Sequence, residues 1–397
     1  MKKSLLSNRY KSVELKVRIL LFLVDIVGGF IFSVVKLFNG GHEEYEPEKV
    51  RKILIFRLDG LGDLVLSTAA LREIRKGFPQ AEITLVISPW TAGIADCIPF
   101  YDRLIVHDSF LFSIFRGNRR PHFREELDFI RTLRQGQYDV GIDLRGDLLS
   151  IIPLFLSRAG FRFAQDTRGG GSLLTHSIKG ECKHAKDETL QLVERLGIAV
   201  KDRETELNIP ENDMKYIEEY LGEKGIKHAD FIISIAPCAL YYWRSWPPEK
   251  FARVAALLAE NNNCVVILVG SREDRRILDK ISSLAGPKII DSSGELTLSQ
   301  VAALINRSVL FIGNDSGVMH IAAAVKTPMI QLFGPGEPEK FGYRSDTNIL
   351  LMKNDCPYHP CDQRSCKYQD HWCMDQISVE DVMETFQKLS LSGFLHK

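Results

Sequence analysis

The chain has no charge imbalance: 51 lysines and arginines meet 51 aspartates and glutamates over 397 residues. That balance lacks the electrostatic footprint of a nucleic-acid binder, so no nucleic-acid partner is indicated. The sequence also lacks low-complexity tracts, long single-sign charge blocks and repeats at solenoid periods, which excludes disordered and repeat architectures. It contains no complete dinucleotide fingerprint at its first glycine turn, because Gly60-Leu61-Gly62-Asp63 lacks the third glycine of G-x-G-x-x-G. None of its eight cysteines form the tight C-x2-C pairs of common zinc sites.

What is present begins with a basic N-terminus. Lys2, Lys3, Arg9, Lys11, Lys16 and Arg18 face a single acid, Glu14, and the apolar run Ile19 to Phe38 follows. That run has the roughly 20 residues needed to span a bilayer core. It is too long for a signal peptide and has no small-residue cleavage site. Spanning would place everything after residue 40 outside the cytoplasm, and Asp25, Gly28 and Gly29 count against it. A helix lying in the cytoplasmic interface, held by apolar contact and basic residues, fits better; a helix packed on the protein itself is the alternative. Residues 1–48 thus read as a membrane-associating segment plus linker.

The remaining length suggests more than one core. From Lys52 to Phe56, Ile83 to Ile87, Leu104 to Val106 and Val140 to Leu144, short β-rich runs alternate with helical spacing at Leu64 to Arg75 and Arg124 to Gln135. That alternation predicts a parallel sheet with helices on both faces, a Rossmann-like unit over residues 50–205. A second such unit is expected over 228–350, with strands at Phe231 to Ile235, Val265 to Val269, Lys288 to Ile290, Leu310 to Ile312 and Met329 to Phe333. Residues 351–397 hold a cysteine-rich segment and a final helix, Val379 to Leu389, able to pack on either unit.

The most informative stretch is Leu310 to Pro335, which reads strand, sharp turn, helix, strand. Asn314, Asp315, Ser316 and Gly317 supply turn and capping chemistry before a small Ala-rich helix. Free N–H groups at such a helix start, with the helix dipole, favour a phosphate. The expected architecture is α/β with two Rossmann-like domains facing each other across a cleft, plus the extra N-terminal apolar helix. Gly62-Asp63, Ala236 to Trp246 and Gly313 to Gly317 all follow strands, where open α/β sheets bind ligands. Asp63 reads as a helix cap or a proton acceptor, and Trp243 and Trp246 as packing residues.

Four groups of residues carry a resemblance: Arg57-x4-Gly62-Asp63; Asp143-Leu144-x-Gly146; Trp243-Arg244-Ser245-Trp246-Pro247; and Gly313-Asn314-Asp315-Ser316-Gly317-x-x-His320. Together they resemble glycosyltransferase family 9, the ADP-heptose:lipopolysaccharide heptosyltransferases and their relatives, over residues 52 to about 390. The resemblance implies a GT-B fold and inverting transfer from a nucleotide-diphosphate sugar, by default ADP-heptose. The acceptor it implies is a lipopolysaccharide-core or other lipid-linked glycan; the N-terminal segment, which the resemblance does not cover, places the expected location at the cytoplasmic side of the inner membrane, peripheral or monotopic. The resemblance makes 50–205 the acceptor domain and 228–350 the nucleotide-sugar domain, with no cofactor required.

Residue by residue, the resemblance implies Asp63 as general base, with Arg57 and Gly62 shaping its turn. Arg244, Glu273, Asp315, Ser316, Gly317, Val318 and His320 become the donor-binding residues. Two departures, Ser245 in place of a positively charged residue and Arg145 within the Asp-Leu-x-Gly turn, bear on the identity of sugar and acceptor. The acceptor is expected to meet the segments Ser109 to Arg124 and Arg158 to Gly171, with Arg116, Arg119, Arg120, Arg124, Arg162 and Arg168. The other enzyme reading is a GT-B-like sugar-nucleotide epimerase; a membrane-bound scaffold without turnover is the non-catalytic one. Cys356, Cys361, Cys366 and Cys373, interleaved with His359 and His371, allow a structural zinc, reduced thiols or a redox pair.

Overall fold

A computed structural model describes residues 44–109, 123–179, 182–227, 231–260, 264–353, 355–359, 361, 366–368 and 372–393. The expected apolar helix at 19–38 lies outside the described residues. Among those described, no helix is long and apolar enough to cross a membrane.

Two compact units divide the chain. One comprises the described residues through Ala92 together with Phe100–Arg203; the other comprises Gly93–Pro99 and the residues from Glu204 onward.

The first unit follows from its apolar runs. β1 (Lys52–Arg57) leads through α1 (Leu61–Leu66) and α2 (Thr68–Gly77) to β2 (Glu82–Ile87) and β3 (Arg103–Val106). After α3 (Phe123–Gly136) come β4 (Val140–Asp143), α4 (Leu148–Leu156), β5 (Phe161–Gln165), β6 (His176–Ile178) and α5 (Ala185–Arg195). The strand order is β3-β2-β1-β4-β5-β6, all parallel, with Ile53 opposite both Ile83 and Val140. Ile53 to Phe56 are fully buried, as expected of a central parallel strand covered on both faces. β5 and β6 fall in segments where no strand is expected from the sequence.

The second unit repeats the scheme. After α6 (Glu211–Glu223) come β7 (Phe231–Ala236), α7 (Pro248–Ala259), β8 (Cys264–Leu268), α8 (Arg275–Ala285) and β9 (Ile289–Asp291). They are followed by α9 (Leu298–Arg307), β10 (Leu310–Asn314), α10 (Gly317–Ala324), β11 (Met329–Phe333), β12 (Asn348–Met352) and α11 (Val379–Leu391). Its order, β12-β11-β10-β7-β8-β9, is the first sheet's order read from the other edge. The final helix packs on this unit: Val382 and Leu389 join Trp246, Phe251 and Ile377 in one buried cluster.

In both sheets the chain reverses its direction of winding beside the first strand, between β1 and β4 and between β7 and β10. At such a switch point the loops leaving two neighbouring strands diverge to opposite faces and open a crevice at the carboxyl edge. The glycine turn and the Asp-Leu-Arg-Gly turn flank the first switch. The Trp-Arg-Ser-Trp loop and the Asn-Asp-Ser-Gly turn flank the second.

Candidate active site

In the first unit the site is built on Arg57, the last residue of β1 and only 5% exposed. Its Nε lies 3.2 Å from Asp59 Oδ1 and donates to the Asp63 carbonyl at 3.1 Å. Its Nη2 lies 3.5 Å from Asp63 Oδ1, and Nη1 donates to the Leu144 carbonyl at the end of β4. One guanidinium therefore ties the two loops of the switch point together.

Asp63 sits in the first turn of α1, where its Oδ2 accepts the Gly60 N–H at 3.3 Å. Its side chain is 37% exposed, in contrast to Arg57 beneath it. A Cβ on Gly60 would stand 3.0 Å from Asp63 Oδ2, so it is Gly60 that leaves this carboxylate room. Gly62, the expected turn glycine, lies within α1 itself.

The second loop brings more carboxylates. Asp143, fully buried, accepts from Ser150 Oγ at 2.8 Å and from the Gly146 and Arg145 N–H groups. Burial and the neighbouring Asp147 push its carboxyl up to about 6. Gly146 takes a left-handed conformation, φ 72°, which favours glycine. Asp147 caps α4 and pairs with Arg145, whose Nη1 donates to the Leu58 carbonyl at 3.1 Å. Asp59, not singled out from the sequence, is pushed up to about 7 by burial, against the pull of Arg57 and Arg145.

In the second unit Asn314 is the joint. Its Oδ1 accepts the Trp246 N–H at 3.0 Å and its Nδ2 donates to the Pro237 carbonyl at 2.7 Å, which clamps the loop after β7 to the end of β10. Trp246 is fully buried, with Nε1 donating to the Ile377 carbonyl at 3.0 Å; it is an anchor. Held between these points, Arg244 places Nη1 3.2 Å from Asp315 Oδ2, with its guanidinium 5.4 Å from the Tyr241 ring centre. Asp315 is 4% exposed, and Gly336 closes over it: a Cβ there would lie 2.4 Å from Asp315 Oδ2.

Ser316 is the N-cap of α10, yet its side chain makes no capping bond. Its Oγ is buried with no hydrogen-bond partner among the described residues. The N–H groups of Gly317, Val318 and Met319 open the helix, where no intrahelical carbonyl precedes them to accept their bonds. A buried unpaired hydroxyl beside such groups suits a bound anion. His320 is 4% exposed and its Nδ1 is 2.9 Å from the Tyr343 hydroxyl, a partner that no sequence motif announces. Glu273 is exposed in the turn between β8 and α8, on the same carboxyl edge.

Two expectations need correction. Arg162 is not available to an acceptor: it lies in β5, 8% exposed, donating to the Leu173 and Ala159 carbonyls. Arg124 and Arg168 are exposed, while Arg116, Arg119 and Arg120 lie outside the described residues. The zinc expectation also fails to find support, because no group of three or more His, Cys, Asp or Glu among the described residues is placed to hold a metal ion. Cys356, Cys361, Cys366 and Cys373 are free thiols, partly buried, and His359 is taken by the Gly336 carbonyl at 3.0 Å. His371 lies outside the described residues.

Two parallel six-stranded Rossmann-like sheets of matching strand order are the architecture of the GT-B fold. Residues 127–371 match the sequence profile of Glycosyltransferase family 9 (heptosyltransferase), and the chain belongs to that family. It is 29% identical to "Lipopolysaccharide heptosyltransferase 3" of Escherichia coli K12 over 335 residues, 83% of this chain and 95% of the relative. The fold matches a glycosyl transferase family 9 structure from Veillonella parvula at TM-score 0.75 and 23% identity, over 89% of this chain and all of that one. It also matches E. coli heptosyltransferase WaaC with ADP-2-deoxy-2-fluoro heptose at TM-score 0.67 and 17% identity, over 85% and 99% of the two chains.

Proposed function

We propose that this glycosyltransferase moves heptose from ADP-heptose to a lipopolysaccharide-core or other lipid-linked glycan, with inversion at the anomeric carbon. Asp63 accepts the proton of the acceptor hydroxyl as that oxygen bonds to the anomeric carbon. The bond from that carbon to the diphosphate breaks, and negative charge grows on the departing ADP. Arg244 and the N–H groups opening α10 stabilise that charge, and Ser316 Oγ adds a neutral donor. No metal or cofactor enters these steps. Glu273, Asp315 and His320 complete the donor site, Glu273 toward the ribose and Asp315 toward the sugar hydroxyls. The enzyme works peripherally on the cytoplasmic face of the inner membrane, held there by residues 1–38.

The observation that carries this reading is Ser316, a helix-opening hydroxyl buried with no partner among the described residues, which follows Asp315, the ion-pair partner of Arg244. Relatives named for heptosyl transfer to lipopolysaccharide support the sugar and the acceptor class. The test is calorimetric binding of ADP-heptose against UDP-, GDP- and dTDP-sugars, in wild type and Arg244→Ala. ADP-heptose is expected to bind tightest and to lose about 30- to 160-fold in the variant, the worth of a charge-assisted contact of roughly 2–3 kcal/mol. A preference for another nucleotide would keep the chemistry and change the sugar. Absence of binding to every donor would favour the non-catalytic scaffold.

A further inference from the structure

Around the switch point of the first sheet, carboxylates outnumber cations: Asp59, Asp63, Asp143 and Asp147 share Arg57 and Arg145. Arg145 pairs with Asp147 and also acts on Asp59, while Arg57 alone contacts both Asp59 and Asp63 among the ion pairs of the described residues. Arg57 cannot swing toward one of them, because it is buried and also donates to the Leu144 and Asp63 carbonyls. The Asp59 backbone is equally fixed, its carbonyl accepting Trp90 Nε1–H at 2.7 Å. Asp59 Oδ1 is buried with no hydrogen bond, so the ion pair to Arg57 is what compensates it.

We propose that Asp59 is a positioning residue for the transfer, competing with Asp63 for Arg57 and so setting how readily Asp63 accepts the acceptor's proton. The proposal rests on the reading of Asp63 as the base. When Asp59 is protonated, the full guanidinium charge falls on Asp63 and opposes proton uptake there. When Asp59 is ionised, the cation is shared and a proton arriving at Asp63 costs less. The groups facing Asp59 are Arg57 and Arg145, which favour its ionised form, and Asp63 and Asp143, which oppose it. With burial these bring it to about 7, so the partition changes near neutral pH.

The test is kcat against pH for wild type, Asp59→Asn and Asp59→Glu, read by ADP release from ADP-heptose with core-truncated lipopolysaccharide. Wild type is expected to show a limb rising through about pH 7, following Asp59. Asp59→Asn, nearly isosteric, should lose that limb and fall about tenfold in kcat at pH 8, with donor KM unchanged; Asp59→Glu should restore the limb. An acceptor-free measurement runs beside it: the Asp63 carboxyl 13C resonance should respond to Asp59 titration in wild type and not in Asp59→Asn. A merely structural Asp59 would lower kcat equally at every pH, leave the limb in place and show no such NMR coupling. Either that pattern or a wild-type profile in Asp59→Asn overturns the proposal. Wild-type turnover in Asp63→Ala would instead remove the base reading itself, which separates the two failures.

Discussion

After β1 the chain enters a helix whose first turn carries a carboxylate bonded to its own backbone, Asp63 to the Gly60 N–H. After β10 it enters a helix whose N-cap hydroxyl, Ser316 Oγ, bonds to nothing among the described residues. Both turns leave central strands of parallel sheets with the same winding, at the same edge. The first helix start has supplied its own negative charge and gathers three further carboxylates around two arginines. The second keeps its positive end open and pairs the residue before its N-cap, Asp315, with Arg244. One backbone device is thus met in two ways: the first helix start is filled from within by a carboxylate, and the second is left open, the arrangement that the proposed division between proton acceptor and anion site draws on.

The comparison breaks most sharply at Asp63. Asp63→Ala should lower kcat about a thousandfold, in the middle of the range for loss of a general base. Donor affinity should stay within about twofold, because the residues assigned to the donor lie on the other sheet. Steady-state kinetics with calorimetry on the same preparation separates the two effects. A loss of donor affinity matching the loss of rate would mean that Asp63 serves binding, and the two helix starts would no longer divide the work.

Much of this site was legible because its residues are contiguous. Gly60 to Asp63 and Asn314 to Gly317 announce a strand, a turn and a capped helix by composition alone, and the central strands are continuous apolar runs. What was not legible depends on tertiary placement. Asp59 looks like one more turn aspartate, and only burial beside Arg57 makes it unusual. Tyr343 and Gly336 reach His320 and Asp315 from beyond β11, and no local spacing foretells either contact. Arg162 reads as a loop arginine because β5, with its Phe-Arg-Phe alternation, resembles a half-exposed segment; packing buries both faces instead. Helix α4 carries an internal Pro153, which counts against a helix in sequence, yet Asp147 caps it and Ser150 bonds back to Asp143.

Gly336 sharpens the second half of the comparison. Gly336→Ala would place a methyl 2.4 Å from Asp315 Oδ2, so the carboxylate or the chain must move. Such overpacking costs about 1–3 kcal/mol. Because Asp315 fixes Arg244, the expected result is a 10- to 100-fold loss of donor affinity, with kcat on saturating donor changing less. The check is calorimetry beside thermal denaturation. Unchanged affinity would show that Arg244 holds the donor without Asp315.

The smallest effect is the most discriminating. A serine that caps a helix costs about 1 kcal/mol when replaced by alanine. Ser316 makes no such bond, so Ser316→Ala should leave the unliganded protein within about 0.5 kcal/mol of wild type, or slightly more stable, since an unpaired buried hydroxyl is removed. The same change should weaken ADP-heptose about 3- to 10-fold, one neutral hydrogen bond of roughly 0.5–1.5 kcal/mol. Denaturation with and without donor reads both quantities in one experiment, through the stabilisation that bound ligand confers. If stability falls by a full cap's worth while donor affinity holds, Ser316 closes its own helix as Asp63 does, and the contrast between the two turns disappears. If stability holds and affinity falls, the hydroxyl is kept unpaired in the protein because its partner arrives with the substrate.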